Sequence, residues 1–327
     1  MNIPKSASTP EQVMPDRAAP DRILQRLDWQ VIRRLDGLLQ GDYRSLFYGY
    51  GVDFADLREY QPEDDIRYID WNVTARMNTP YVRQYVEDRE ITAWFLLDLS
   101  PSVDFGTVQT QSLKRTVLID FVTTLARLLT RHGNRVGAMF YTGQNGRGQG
   151  DHDQSGRRIE PLRAIPARGG RIQVLRLIND LLNQPRLAHA PFTNLTPLFE
   201  GGLNAIKTRS LIFIISDFIS APGWERPLNL LNQRHEVLAV RLWDPREVEL
   251  PDVGPIVMED AETGEQLYVD THDRRFRARF VDAARRREAA LNEAFKHAGV
   301  AALSLSTEED LVRAIVRFAT LRQQRRK

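Results

Sequence analysis

The stretch Ile91-Thr92-Ala93-Trp94-Phe95-Leu96-Leu97-Asp98-Leu99-Ser100-Pro101-Ser102 decides the fold of this chain. Its first seven residues have the apolar, aromatic and β-branched character of a buried strand. One carboxylate and two hydroxyls then alternate just past the carboxyl end of that strand. In open α/β sheets this edge is where ligands bind, and oxygen donors of this kind suit magnesium or manganese. The stretch therefore predicts a binding site at the edge of a buried sheet.

The chain after Ile91 alternates strands with helices. We predict strands at 91–97, 135–141, 158–164, 210–216, 236–243 and 300–305, separated by helices at about 111–131, 173–182, 196–207, 225–234 and 274–297. A further helix at 310–322 is predicted to open with a capping box at 306–309. This alternation predicts an α/β fold with a mostly parallel, Rossmann-like sheet that is covered by helices on both faces.

The sequence divides into three parts. Residues 1–21 are rich in proline, serine and alanine, which predicts a disordered tail. Residues 22–90 begin with an amphipathic helix that ends near Gly41 and continue as an extended, β-rich segment. Residues 91–327 form the predicted α/β domain. Two short strands on either side of residues 260–265 indicate a hairpin inserted at about 250–270.

Composition limits the class of protein. The 327 residues are 42% hydrophobic, which is enough for a substantial core. The 45 basic and 43 acidic residues give a net charge of +2, which does not argue for a nucleic-acid partner. There is no cysteine, so disulfides, zinc–thiolate sites and thiol catalysis are excluded. No apolar run is long enough for a signal peptide or a bilayer span, so we expect a cytoplasmic protein without membrane insertion.

Two further oxygen donors are predicted to join the first loop. Thr193 lies just before a predicted helix, and Asp217 follows the apolar strand at 210–216. Because parallel strands end at the same edge of a sheet, these loops should meet. The order Asp-x-Ser-x-Ser, then Thr, then Asp resembles the metal-ion-dependent adhesion site of von Willebrand factor A domains. The resemblance implies five metal ligands: Asp98, Ser100, Ser102, Thr193 and Asp217.

That resemblance implies binding rather than catalysis. An ion held by two carboxylates and weak hydroxyl ligands stays electrophilic and keeps water in at least one position, as Mg²⁺ commonly does in proteins. A partner's Glu or Asp can replace that water, so we expect Mg²⁺ or Mn²⁺ as the cofactor. Thr196 is an alternative to Thr193. The opposing interpretation is structural, because Ser, Asp and Pro after a strand are also ordinary turn residues.

A second resemblance rests on the segment before the first strand. It runs Gly49-Tyr50-Gly51-Val52-Asp53-Phe54, continues through Leu57–Arg67 to Ile69-Asp70-Trp71 and Thr74-Ala75-Arg76, and ends at Val82-Arg83-Gln84-Tyr85. Asp244-Pro245-Arg246-Glu247 and Thr263-Gly264-Glu265 agree with it. Together they resemble the bacterial family called domain of unknown function 58, with Glu63 departing from a common Gly. We expect the charged residues of this segment to form ion pairs that hold it against the sheet.

Resemblance to that family implies an intracellular von Willebrand A-like protein, of a kind that is typically encoded beside a MoxR-type AAA+ ATPase. Its implied role is non-enzymatic: an adaptor in chaperone-like assembly or maturation of client proteins. The expected partners are the ATPase and a client protein that offers a carboxylate ligand.

Two other functions are open. One is a Mg²⁺-dependent phosphohydrolase that uses Asp98 as nucleophile. Such sites usually carry a second Asp two positions on, where this chain has Ser100, and no Lys occupies an obvious supporting place in the sequence. The other is nucleic-acid binding through the basic helix at 274–297.

Overall fold

The quoted stretch forms a central strand of a six-stranded sheet in the computed structural model. The structure describes residues 20–38, 52–87, 90–106, 113–143, 161–185, 187 and 193–326. Residues 1–19 of the predicted tail, the predicted helix end near Gly41 and the start of the second resemblance at 49–51 lie outside these residues.

The strands are β1 (Val52–Glu59), β2 (Tyr81–Glu87), β3 (Thr92–Asp98), β4 (Arg135–Tyr141), β5 (Leu162–Arg168), β6 (Leu211–Ser216), β7 (Glu236–Trp243), β8 (Pro255–Glu259), β9 (Gln266–Asp270) and β10 (Ala301–Ser306). The α-helices are α1 (Pro20–Leu27), α2 (Arg33–Leu38), α3 (Trp71–Met77), α4 (Lys114–Arg131), α5 (Gly170–Leu182), α6 (Thr196–Ala205), α7 (Glu225–Arg234), α8 (Arg274–His297) and α9 (Leu311–Arg326). A π-helical turn at Asp28–Ile32 joins α1 to α2.

The central sheet has the strand order β10-β7-β6-β3-β4-β5. Its strands are parallel except for β5, which pairs antiparallel with β4. This arrangement confirms the predicted α/β fold with a mostly parallel sheet. The hairpins β1–β2 and β8–β9 form separate two-stranded sheets, as expected for a β-rich N-terminal segment and an inserted hairpin.

Alternate residues of the central strands point into two cores, one on each face of the sheet. Phe95 and Phe213 stack at 5.2 Å and face α1, α4, α5 and α9. Trp94 and Ile212 point the other way, toward α6, α7 and α8. Burial on both faces explains why these strands read as continuous apolar runs in the sequence.

Some details of the structure differ from the prediction. Strand β5 begins four residues later than expected, because it lies at the edge of the sheet and only Ile165 is buried in it. Helix α3 was not predicted, and Asp70 caps it by accepting hydrogen bonds from two of its backbone amides. The prediction of a capping box at 306–309 is wrong, because Asp310 caps α9 instead. Its side chain accepts hydrogen bonds from the amides of Val312 and Arg313 at the start of that helix.

The ion pairs of the N-terminal segment are local. Arg58 donates two hydrogen bonds to Asp64, at 2.7 and 2.5 Å, and Arg67 pairs with Asp65. These pairs tie the segment to itself, which differs from the expectation that they would hold it against the central sheet.

Gly137 in β4 allows β5 to approach closely. The pairing of β4 with β5 shifts register at this residue, and a Cβ atom here would lie 3.0 Å from the backbone of Ile165 and Ala167. We expect Gly137→Ala to lower the free energy of unfolding by about 1–3 kcal/mol, because the β5 backbone must shift. Urea unfolding measures this change. Gly169→Ala is the control, since its Cβ would meet only an ordinary contact at 3.7 Å; equal stability of both variants would contradict the argument.

Candidate metal centre

The topology creates a crevice between β3 and β6. If the six strands of the central sheet are renumbered from 1 to 6 along the chain, their order across the sheet from the β5 edge is 3-2-1-4-5-6. Strands 1 and 4 of this count are β3 and β6, and they are neighbours. The chain leaves these two strands in opposite directions, which opens a crevice at their carboxyl ends where ligands bind in such sheets. Asp98 is the last residue of β3, and Asp217 directly follows β6.

The loop after β3 is folded around its own polar groups. One carboxylate oxygen of Asp98 accepts a hydrogen bond from the amide of Ser100 at 3.0 Å. The hydroxyls of Ser100 and Ser102 lie 3.1 Å apart and share a hydrogen bond. Buried Arg115 holds the loop in place by donating to the carbonyl of Leu99 and pairing with Asp104. All three predicted ligands of this loop are therefore buried at the crevice.

Asp217 lies beside this loop. Its carboxylate accepts hydrogen bonds from the amide of Ile219 and from the hydroxyl of Ser102. The turn that presents it contains Phe218 in the left-handed region, at φ 55°, a conformation that bulky residues rarely adopt. Packing of the Phe218 ring against Trp224 and Phe295 stabilises that turn.

The two carboxylates repel each other. Burial, together with the charge of Asp217, raises the pKa of Asp98 to about 6, although Ser216 and Ser100 donate hydrogen bonds to it. Within the described residues no Lys or Arg pairs with Asp98. The centre therefore contains a buried carboxylate that lacks a positive partner.

Lys114 is a member of this centre that the sequence analysis missed, and its position corrects the expectation that no Lys supports the site. Its ammonium is fully buried and donates to Asp217 at 2.8 Å and to Glu247 at 2.6 Å. Burial opposes its charge, but the two carboxylates outweigh that effect and raise the pKa of Lys114. Glu247 belongs to the Asp244–Glu247 stretch, where its other oxygen accepts from the Asp244 amide at 3.2 Å.

Thr193 is buried and bound to the inserted hairpin. Its amide donates to Glu262 at 2.9 Å, and its hydroxyl donates to the other oxygen of the same carboxylate. Its carbonyl accepts from Ala221, which joins this loop to the one that carries Asp217. Burial raises the pKa of Glu262, and the nearby charge of Asp217 adds to the effect. The alternative, Thr196, begins α6 instead.

The donor set fits a hard divalent cation. Asp98, Asp217, Glu247 and Glu262 bring four carboxylates to the centre or its rim, and the described contacts show one ammonium among them, that of Lys114. No group of three or more His, Cys, Asp or Glu side chains is placed to hold a metal within the described residues. A cation here would be held by two carboxylates and neutral hydroxyls, which matches the chemistry expected for Mg²⁺ or Mn²⁺.

A family profile matches residues 56–290 of this chain, and its description is "Protein of unknown function DUF58". The chain belongs to the DUF58 family. The DUF58 match includes the inserted hairpin, most of the β1–β2 pair, and the two strands that Asp98 ends and Asp217 follows. It covers the charged segment, the Asp244–Glu247 stretch and the hairpin tip on which the second resemblance rests.

Relatives of this DUF58 protein occur in mycobacteria. Uncharacterized proteins of Mycobacterium bovis and Mycobacterium tuberculosis are 35% identical over 300 residues, which is 92% of this chain and 89% of theirs. Among solved structures, the conserved hypothetical protein BatB from Bacteroides thetaiotaomicron is 12% identical with a TM-score of 0.43, over 72% of this chain and 99% of that one.

Other features bear on the remaining predictions. In the basic helix α8, Arg277 pairs with Asp252 and Arg287 donates to the Glu247 carbonyl, so two of its arginines serve intrachain contacts. No helix in the described ranges combines the length and apolar character that a bilayer span requires.

Proposed function

We propose that this DUF58 protein is a non-enzymatic interaction module that binds partner carboxylates through a divalent cation. One observation carries the proposal: Asp98 and Asp217 are buried together at the crevice, and Asp98 lacks a positive partner among the described residues. Burying an uncompensated charge is costly, so a site that keeps one is suited to an added cation.

The residues present support a binding role in a specific way. A bound Mg²⁺ or Mn²⁺ would supply an exchangeable position that a partner carboxylate could take. Asp98 and Asp217 would supply the negative charge, while the hydroxyls of Ser100, Ser102 and Thr193 add ligands without further charge. Arg115 and the Phe218 turn keep these groups in place before a partner arrives.

We propose that the partner machinery is a MoxR-type AAA+ ATPase and that the protein is its adaptor in assembly or maturation of client proteins. Membership of DUF58 supports this role through the resemblance described above. The N-terminal segment offers a surface for such a partner, because Ile66, Trp71 and Met77 are 64%, 69% and 58% exposed. Several large apolar side chains exposed within one short segment are consistent with an interaction site.

A phosphohydrolase is the second candidate, and the position of Lys114 is the observation that favours it. An ammonium beside an acidic centre could bind a phosphoryl group. Against this, both oxygens of Asp98 accept hydrogen bonds, from Ser100 and Ser216, and the side chain is fully buried. Mg²⁺-dependent turnover of a panel of phosphate esters, lost in Asp98→Asn, would favour the enzyme; no turnover would remove it.

Asp98→Ala tests the proposed function. We expect the variant to fold, because it loses a buried charge, but to lose Mg²⁺ and Mn²⁺ binding in calorimetric titration. It should also fail to capture a MoxR-type ATPase of the same genome. Asp310→Ala is the control, since Asp310 accepts the same kind of hydrogen bond from the amide two residues on. Capture of the ATPase by folded Asp98→Ala, as strong as by wild type, would overturn the cation-bridging mechanism.

A further inference from the structure

The tip of the inserted hairpin is built to present one carboxylate. One oxygen of the Asp260 side chain accepts from the amides of Glu262 and Thr263, at 2.8 and 2.9 Å. The amide of Gly264 donates to the Asp260 carbonyl, and Gly264 has φ 72°, which only glycine adopts readily. These bonds fix the turn and leave the Glu262 side chain free to reach Thr193.

The hairpin is attached at its two ends. At the base, buried Thr271 donates to the Gly254 carbonyl, and Arg277 of α8 pairs with Asp252 at 2.8 Å. At the tip, Glu262 binds Thr193. Between the two ends Leu267 and Tyr268 are 61% and 80% exposed. A two-stranded hairpin is marginally stable by itself, so loss of the tip contact would allow it to move away.

The charge of Glu262 is unfavourable at this position unless a cation is present. Its carboxylate lies near Asp217, and the groups described as binding it belong to Thr193, which is neutral. A neutral glutamine would avoid that repulsion, and its one carbonyl oxygen could still accept one of the two hydrogen bonds from Thr193. A negative charge held here is, however, what a cation held by Asp98 and Asp217 would attract.

We infer that Glu262 is an intrachain ligand of the centre, which we call the resident ligand. The hairpin tip then occupies the position at which an acidic turn of a partner binds, and the partner displaces the hairpin tip. This inference rests on the proposed function. The expected partner presents a glutamate at the tip of a turn, in the way that the turn Asp260–Gly264 presents Glu262. The hairpin then also has a regulatory role, because a tethered ligand competes at a high effective concentration.

The test uses the full chain and a cyclised peptide of residues 255–270 as the acidic turn. In the presence of Mn²⁺, we expect Glu262→Gln to bind this peptide at least about tenfold more tightly than wild type, since the tethered competitor has lost its charge. The same peptide with Gln in place of Glu262 should bind neither protein. Glu265→Gln is the matched control: it removes a neighbouring carboxylate of the hairpin, and we expect wild-type affinity.

The outcomes separate the two proposals. Equal peptide affinity in wild type and Glu262→Gln, with Mn²⁺ bound to both proteins in calorimetry, would overturn the resident ligand and leave the cation-dependent function intact. Binding of the Gln peptide as strong as that of the Glu peptide would also overturn it. Absence of Mn²⁺ binding in both proteins would overturn the proposed function and this inference together.

Discussion

Lys114→Met is expected to lower the free energy of unfolding of the metal-free protein by about 3–5 kcal/mol, the cost of removing one partner of a buried ion pair. Methionine matches the length of the lysine stem, so the loss comes mainly from charge. Without the ammonium, Asp217 and Glu247 would be left together in a buried site that already contains Asp98. We further expect Mg²⁺ to restore more stability to this variant than it adds to wild type, because the cation supplies the missing positive charge.

Urea unfolding in a chelator and then in Mg²⁺ measures both effects. Lys207→Met is the matched control, since Lys207 is exposed, and its stability should stay within about 0.5 kcal/mol of wild type. Wild-type stability of Lys114→Met in the chelator would mean that the ammonium is not paired as the structure places it. Loss of stability without any Mg²⁺ rescue would count against a cation at this centre.

The central strands could be predicted from the sequence because burial on both faces leaves a strong local pattern. β4 and β7 have the predicted bounds, β6 begins one residue later than predicted, and β3 begins and ends one residue later. β5 was predicted four residues too early, because an edge strand with one buried side chain has little apolar pattern in the sequence. The short helix α3 was missed because none of its residues is buried and because Asp70, which caps it, also fits a turn.

The candidate site was predictable only where its residues adjoin strand ends. Asp98, Ser100, Ser102 and Asp217 follow β3 and β6, and the sheet itself brings them together. Lys114, by contrast, lies 103 residues from Asp217 and 133 from Glu247, and no local pattern reports those pairings. One signal was present: Lys114 stands four residues before Leu118, on the buried stripe of α4. Glu262, 69 residues from Thr193, had no such signal.

Asp98→Asn is expected to change how stability depends on pH. The pKa of Asp98 in the folded protein is about 6, above its ordinary value of 3.8, because of burial and the charge of Asp217. Between these values the folded state binds more protons than the unfolded state, so wild-type stability falls as pH rises through this window. Each pKa unit is worth about 1.4 kcal/mol, so the loss attributable to Asp98 approaches about 3 kcal/mol above pH 6. The asparagine variant does not show this loss of stability, because an asparagine side chain does not ionise.

Unfolding in a chelator from pH 4 to pH 8 measures this difference. We expect Asp98→Asn to become the more stable protein as pH rises, while the two differ little near pH 4. With saturating Mg²⁺ the order should reverse above pH 6, because the cation stabilises the ionised form of Asp98 and binds the asparagine variant weakly. Parallel pH curves in the chelator would show that Asp98 ionises normally, and an unchanged order in Mg²⁺ would show that no cation binds it. A centre with both behaviours is less stable without the cation because Asp98 is ionised, and the same ionised carboxylate allows it to bind the cation. A protein that binds partners through a cation requires this combination.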